Sequence, residues 1–112
     1  PLGMGLLTGK FAPDSSFGSD DVRRHAAWHP GFKDGHPTQA WLDALASIRE
    51  VLTSGGRTLA QGALGWMWGK SEKTAPIPGF KTVQQVEENC KALEFGPLTP
   101  EQMQEIERIL GR

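Results

Sequence analysis

Apolar residues recur at helical spacing in four segments, all of which lie after residue 37. In the first of these segments, intervals of three or four residues separate the large apolar side chains, as one face of an α-helix requires. The residues are Trp41, Leu45, Ile48 and Leu52, between Thr38 and the pair Gly55 and Gly56. Because glycine readily ends a helix, the pattern predicts an amphipathic helix that begins at Thr38 and stops before Gly55.

Three further helices share one start signal, a threonine followed three residues later by a glutamine. In this capping box each side chain accepts a hydrogen bond from the main-chain N–H of the other residue. The pairs are Thr58 with Gln61, Thr82 with Gln85, and Thr99 with Gln102. The predicted inner faces are Ala60, Leu64, Met67 and Trp68; Val83, Val86, Cys90 and Leu93; and Met103, Ile106, Ile109 and Leu110. The glycines at 62, 65 and 69 predict that the second helix lies tightly against a neighbour.

Residues 1–36 show neither helical nor alternating periodicity, because glycine and proline interrupt them repeatedly. A long irregular stretch is typical of a functional lid or of disorder, and we predict only one short helical turn in it, within residues 20–28. Residues 75–78 are the one plausible strand of the chain, apolar but containing two prolines. A lone strand leaves its backbone unpaired, so we expect its partner strands to come from a missing part of the protein or from a second chain.

Composition narrows the class of protein. The chain has 112 residues, the size of one domain or part of one, and a formal net charge of −1. That balance argues against a general affinity for nucleic acid or for an anionic membrane, and no apolar run is long enough to span a bilayer. One cysteine excludes an internal disulfide and favours a reducing compartment, for which we expect the cytoplasm. The start at Pro1, inside a glycine-rich stretch, leads us to expect a segment of something longer.

The first ten residues, PLGMGLLTGK, are one candidate for chemistry, since small residues let main-chain N–H groups approach a phosphate. Neither standard nucleotide motif fits their spacing. A dinucleotide fingerprint that starts at Gly3 needs a glycine where Thr8 stands, and a P-loop that ends at Lys10 needs one where Met4 stands. Composition alone therefore leaves two interpretations open, a flexible loop and a phosphate cradle.

The start of the third helix is the second candidate. Lys81 immediately precedes the Thr82 cap, where free N–H groups and the positive end of the helix dipole favour an anion. A solvated lysine beside an ordinary cap is an equally compatible interpretation. Further along, Gln85, Glu88 and Asn89 share one face of the helix and give that face much hydrogen-bonding capacity.

The remaining polar residues give weaker signals. His25 and His29 are four residues apart but lack a further ligand, so we predict no metal site. Arg23 and Arg24 have the chemistry to clamp a phosphate, although adjacent arginines in a polar loop are usually solvated. Cys90 lies on the predicted apolar face of the third helix and is expected to be a core residue.

In this order and spacing, the motifs resemble the C-terminal part of an aldo-keto reductase. Residues 1–10 look like the loop after the seventh barrel strand of that family, and residues 58–66, TLAQGALGW, are similar to its seventh helix. Residues 74–79, TAPIPG, look like the eighth strand, and residues 81–89, KTVQQVEEN, look like the eighth helix. The sequence LTPEQ at 98–102 resembles the start of the closing helix, whereas residues 11–37 carry little of the resemblance.

The resemblance implies an α/β fold, the C-terminal portion of a (β/α)8 TIM barrel, mostly helical here with one short strand. Residues 1–112 would be a single segment, with the cofactor loop and lid in 1–37 and the helices, with strand 75–78, in 38–112. It also implies NADPH as the cofactor, because a lysine suits the extra phosphate of NADPH better than an acidic residue does. The implied cofactor-binding residues are Pro1, Leu2, Gly3, Lys10, Gly79, Lys81, Gln85, Glu88 and Asn89.

Members of that family reduce aldehydes or ketones with a tyrosine proton donor that lysine, aspartate and histidine assist. The chain contains no tyrosine, and we assign it no catalytic residue, so the resemblance implies a cofactor-binding portion that is inactive alone. Its partners would be a small carbonyl substrate in the intact enzyme and the remainder of the barrel or a second chain. The alternative is a non-enzymatic helical interaction module derived from a truncated reductase.

Overall fold

Four α-helices account for most of the chain after residue 38 in the computed structural model, which describes residues 1–112. They are α1 (Gln39–Leu52), α2 (Leu59–Lys70), α3 (Val83–Phe95) and α4 (Pro100–Ile109). The capping boxes predicted at Thr58 and Thr99 are both closed, with each side chain accepting from the main chain of its partner. All four predicted helices are confirmed, three of them with the predicted threonine cap, while α1, predicted from its apolar spacing, has no side-chain cap.

Helix α2 lies at the centre of the helical part and is buried on every side in its first half, from Leu59 to Gly65. A Cβ atom at Gly62 would overlap the main-chain carbonyl of Leu52 at the end of α1. At Gly65 the carbonyl accepts a 3.0 Å hydrogen bond from Leu98 N, just before α4. The close approach predicted from the glycines is thus confirmed, and it is with backbone on two sides of α2.

Two apolar clusters form the core. The larger one joins α1, α2 and α4 and consists of Leu45, Leu52, Leu59, Leu98 and Ile106. The smaller one belongs to the lid and consists of Leu6, Phe17, Ala26 and Phe32, with Phe11 and Trp41 packed against it. Only 19 of the 112 residues are buried, so large apolar surfaces of the helices stay uncovered within this chain.

Helix α3 contradicts the predicted inner face. Val83 and Leu93 are 75% and 70% exposed, and Cys90 is exposed as well, while Val86 is half-buried. The side of α3 that packs on α2 is instead the one that carries Ala92, which is fully buried. The physical reason is that α2 offers α3 a contact through its first turns, whereas nothing in this chain covers the apolar stripe. The expectation that Cys90 is a core residue is therefore wrong for this structure.

The first 37 residues contain more structure than their sequence pattern predicts. A 3-10 turn over Val22–His25 confirms the short helical turn expected within residues 20–28. The strands β1 (Phe32–Lys33) and β2 (His36–Pro37) pair as an antiparallel hairpin that was not predicted. Asp34 and Gly35 form its two-residue loop with φ angles of 52° and 78°, the left-handed values that such a turn requires.

The predicted strand at residues 75–78 is wrong for this structure. Residues 74–80 form no strand, and the one sheet is the hairpin of β1 and β2. A strand needs a hydrogen-bonded neighbour, and no other strand of this chain lies beside the segment. Among the helices, none combines the length and the apolar character that crossing a bilayer would demand.

Candidate functional site

The first loop, residues 1–10, is held in one shape by hydrogen bonds within it. Its 3-10 segment, Gly3–Thr8, has three successive positive φ angles, of 60°, 56° and 97°, at Gly3, Met4 and Gly5. The Leu2 carbonyl accepts from the N–H groups of Gly5 and Leu7 at 3.1 and 3.2 Å. Leu6 is buried in the lid cluster and anchors the loop. The first loop therefore has a defined turn geometry, and its role as a phosphate cradle stays a prediction.

The lid meets the first loop through Arg23 and not through Arg24. The Arg23 guanidinium lies 4.5 Å from the ring centroid of Phe17 and 5.2 Å from that of Phe11, and its NH1 atom is 3.5 Å from the Met4 carbonyl. Arg24 donates instead to the Phe17 carbonyl within the lid, at 3.2 Å. The structure therefore distinguishes two adjacent arginines that the sequence presents as equivalent.

Lys10 and Arg23 converge on one aromatic ring. The Lys10 ammonium lies 5.1 Å from the centroid of the Phe11 ring, the same ring that the Arg23 guanidinium approaches. Two cations that share a ring repel each other, and an anion between them relieves that repulsion. The first loop thus has two cations beside the Phe11 ring that follows it.

Asp21 partly neutralises that charge. Its carboxylate accepts from Nε and NH2 of Arg23, at 2.9 and 2.6 Å, and from the main-chain N–H of Arg23 at 2.9 Å. The side-chain hydrogen bond from Arg23 is the largest cause that holds the pKa of Asp21 well below its usual range. The Lys81 charge lowers that pKa further. In turn, the side-chain hydrogen bond to Asp21 is the largest cause that raises the pKa of Arg23.

The start of α3 differs from the predicted capping box in one bond. Thr82 accepts from the Gln85 N–H at 3.1 Å, as expected, but the Gln85 side chain accepts from the N–H of Lys81 at 2.6 Å and not from that of Thr82. This bond fixes the main chain of Lys81 and leaves its exposed side chain available. At Gly79, which precedes this turn, no atom lies within 4 Å of the position a Cβ would take, so the approach to Lys81 is open.

Glu88 lies in a second polar region, between α2 and α3. An open polar cavity of about 550 Å³ lies along the two packed helices there, and its lining residues are Gly56, Thr58, Gln61, Gln84, Glu87, Glu88, Lys91 and Phe95. The main-chain carbonyl of Glu88 accepts a 2.9 Å hydrogen bond from the Gln61 side chain. Asn89 is half-buried on the same helix.

The predicted site residues thus fall into three parts of the chain. Pro1, Leu2, Gly3 and Lys10 belong to the first loop, Gly79, Lys81 and Gln85 lie around the start of α3, and Glu88 and Asn89 lie in the middle of α3. Pro1 also lines an apolar cavity of about 660 Å³ between α1, α2 and α4. The chain has no group of three or more histidine, cysteine, aspartate or glutamate residues placed to hold a metal ion.

Sequence reasoning missed Asp21, Phe11 and Phe17. A signal for Asp21 exists, because an aspartate often accepts from the N–H group two residues along the chain. The role of the phenylalanines could not be predicted from the sequence, because the three rings meet edge to face only when the lid is folded. These rings are Phe11, Phe17 and Phe32.

Comparison with known proteins places this arrangement in a family. Residues 1–110 match the model of the aldo/keto reductase family. The chain is 33% identical over 94 residues to an aldo-keto reductase of Schizosaccharomyces pombe whose name carries NADP(+), covering 84% of this chain and 26% of that protein. It is 30% identical over 113 residues to the L-glyceraldehyde 3-phosphate reductase of Escherichia coli O157:H7, covering 99% and 32%.

A third relative is the chloroplastic pyridoxal reductase of Arabidopsis thaliana, 32% identical over 104 residues, with 93% of this chain and 26% of that protein covered. The chain therefore spans between about a quarter and a third of the length of these relatives. No solved structure matches it. With a family model that covers almost all of its residues, the chain belongs to the aldo/keto reductase family.

Proposed function

We propose that this chain is the cofactor-binding portion of an NADPH-dependent aldo-keto reductase that reduces aldehydes or ketones, and that it forms the C-terminal part of a (β/α)8 barrel. One observation carries the proposal. Lys10 and Arg23 converge on the Phe11 ring beside a loop with shaped backbone, and Lys81 stands exposed immediately before the Thr82 cap of α3. A dinucleotide with three phosphates suits a site with three cations.

The residues present fit such a cofactor. Lys10 and Arg23 would bind the pyrophosphate, with the first loop presenting its main chain from Gly3 onward. Lys81 would bind the adenosine 2′-phosphate, and Gln85 holds the main chain of Lys81 in position. Glu88 and Asn89 would contact the adenosine. Bound NADPH supplies a hydride for a carbonyl carbon, and in this proposal the chain contributes binding and no proton transfer.

A partner surface follows from what the chain leaves uncovered. The apolar stripe of α3, the unpaired residues 74–80 and the apolar cavity beside Pro1 all lie exposed. We infer that the rest of the barrel, in the same protein or in a second chain, covers them, and that the whole acts in the cytoplasm. A native protein whose intact mass is near 12.2 kDa would contradict a longer parent chain.

The alternative, a non-enzymatic helical interaction module, draws on the same uncovered apolar surface. The two proposals differ in the role of Lys10, Arg23 and Lys81. In the interaction module, these side chains would be solvated and bind no nucleotide. A defined oligomer that leaves NADPH unbound would favour this alternative over the reductase.

The test is nucleotide specificity at Lys81. We expect NADPH to quench the tryptophan fluorescence of the chain, and we expect Lys81→Ala to weaken NADPH binding about tenfold while NADH binding stays unchanged. Lys73→Ala is the matched control, because Lys73 is an exposed lysine in the turn after α2. Equal losses for NADPH and NADH, or equal effects of the two variants, would contradict the proposed role of Lys81.

A further inference from the structure

The hydrogen-bonding edge of Arg23 is already occupied in this structure. Asp21 receives the Nε and NH2 donors of Arg23 in two near-parallel bonds of 2.9 and 2.6 Å. This is the same bidentate geometry by which a guanidinium binds a phosphate. The carboxylate therefore lies where a phosphate oxygen pair would lie on Arg23.

The Arg23 guanidinium has contacts beyond its ion pair with Asp21. It lies against the rings of Phe17 and Phe11, and its NH1 atom faces the Met4 carbonyl. The two rings in turn pack edge to face at 5.2 Å. The Asp21 carboxylate also accepts a 2.9 Å hydrogen bond from the main-chain N–H of Arg23, so a change of rotamer that releases the guanidinium gives up this bond as well.

The Lys81 charge contributes, as the smallest cause, to the lowered pKa of Asp21. Its neighbour Asp20 has no hydrogen bond or ion pair to either cation and is exposed. Substitutions at the two adjacent aspartates remove the same charge, but only a substitution at Asp21 also removes a direct contact with Arg23.

We propose that Asp21 is an internal anion that occupies the Nε and NH2 donors of Arg23 and must leave them before a diphosphate group binds there. The inference rests on the proposed function, whose cradle it shares, and adds a competing group inside that cradle. Asp21 thereby lowers the affinity of the site for anions that lack enough charge to displace it. The ligand class with enough charge to displace Asp21 is the diphosphate of a dinucleotide.

Inorganic pyrophosphate is the probe, titrated calorimetrically into the chain at 0.15 M salt. We expect Asp21→Asn to bind pyrophosphate about fivefold more tightly than the wild type, since a partly exposed ion pair contributes up to about that factor. Asparagine keeps an oxygen for the Arg23 N–H, so the turn is retained, and Asp21→Ser serves as a second variant that keeps the same acceptor. Asp20→Asn removes an equal charge and should change the affinity less than twofold.

An Asp21→Asn affinity that is unchanged, weaker, or equal to that of Asp20→Asn overturns the inference, as does pyrophosphate binding by none of the variants. Weaker binding would mean that Asp21 positions Arg23 instead of competing for it. The outcome is separate from that of the proposed function. If NADPH binding depends on Lys81 but Asp21→Asn has no effect, only this inference fails. If pyrophosphate responds as expected but NADPH does not bind, the proposed cofactor is wrong.

Discussion

The side-chain amide of Gln61 donates a 2.9 Å hydrogen bond to the main-chain carbonyl of Glu88, and thereby joins the first turn of α2 to the middle of α3. The same side chain uses its oxygen to accept from Thr58 N at 2.9 Å. Gln61 is 4% exposed, and both of its bonds are partly buried. One residue thus caps a helix and connects it to the helix that carries the proposed adenosine contacts.

Replacing Gln61 should destabilise the chain. Gln61→Ala removes half of a capping box and a shielded bond between helices, and we expect a loss of about 2 kcal/mol in the free energy of unfolding. Urea unfolding followed by circular dichroism measures it. Gln104→Ala, on the exposed side of α4, is the control and should change stability by less than about 0.5 kcal/mol. Equal midpoints for the two variants would show that the Gln61 bonds contribute nothing.

Glycine at position 62 is required by backbone and not by a side chain. A Cβ there would overlap the carbonyl carbon and oxygen of Leu52, which cannot move without shifting the end of α1. We expect Gly62→Ala to lose about 2–3 kcal/mol despite the better helix propensity of alanine. At Gly69 the nearest atom is the flexible thioether of Met103, so Gly69→Ala should lose less. Thermal unfolding of the two variants measures this difference. A lower midpoint for Gly69→Ala than for Gly62→Ala would contradict the backbone argument.

The helix starts were predictable because a capping box is a local signal. Thr58 with Gln61 and Thr99 with Gln102 need no information from elsewhere in the chain. The face of α3 was not predictable, because an apolar stripe turns inward only if something covers it. The hairpin at Asp34 and Gly35 was missed for another reason: its strands have two residues each and show no alternation.

The candidate site divides in the same way. Lys81 was a candidate because it stands directly before a helix cap. The sequence predicted that the Gln85 side chain accepts from the N–H of Thr82, whereas it accepts from the N–H of Lys81, one residue earlier. The choice of Arg23 over Arg24 depends on which side chain meets Phe11, Phe17 and Met4. That choice is made by the fold of the lid, for which the sequence shows no periodicity.

The titration of Asp21 tests the charge balance of the lid. The Arg23 hydrogen bonds depress the pKa of Asp21 in the folded chain. A depressed carboxyl pKa stabilises the fold above the unfolded value of about 3.9, and this contribution is lost as the pH falls through the folded pKa. We expect the Asp21 carboxyl ¹³C signal to stay in its ionised position at pH 3, while the contribution of Asp21 to stability falls progressively as the pH drops below about 3.9 and the unfolded chain takes up the proton. A midpoint near the ordinary value would contradict the ion pair.

The last prediction concerns the uncovered stripe of α3. Leu93 is 70% exposed, so Leu93→Ser removes little buried surface in this chain and should change the free energy of unfolding by less than about 0.5 kcal/mol. Ile106 on α4 is 1% exposed in the larger core cluster, and Ile106→Ala should lose about 2–5 kcal/mol.

Both variants are measured in the 112-residue chain by urea unfolding. A large loss at Leu93 would mean that the stripe is already covered, by a second copy or by a different packing of α3, and dilution would separate these because only the first depends on concentration. If Leu93→Ser leaves the free energy of unfolding unchanged, the stripe is available to be covered by other strands. In a longer parent chain, the same substitution should then lower the free energy of unfolding as much as Ile106→Ala does. The contrast between the two chains is therefore the direct measure of whether α3 was shaped to cover a barrel.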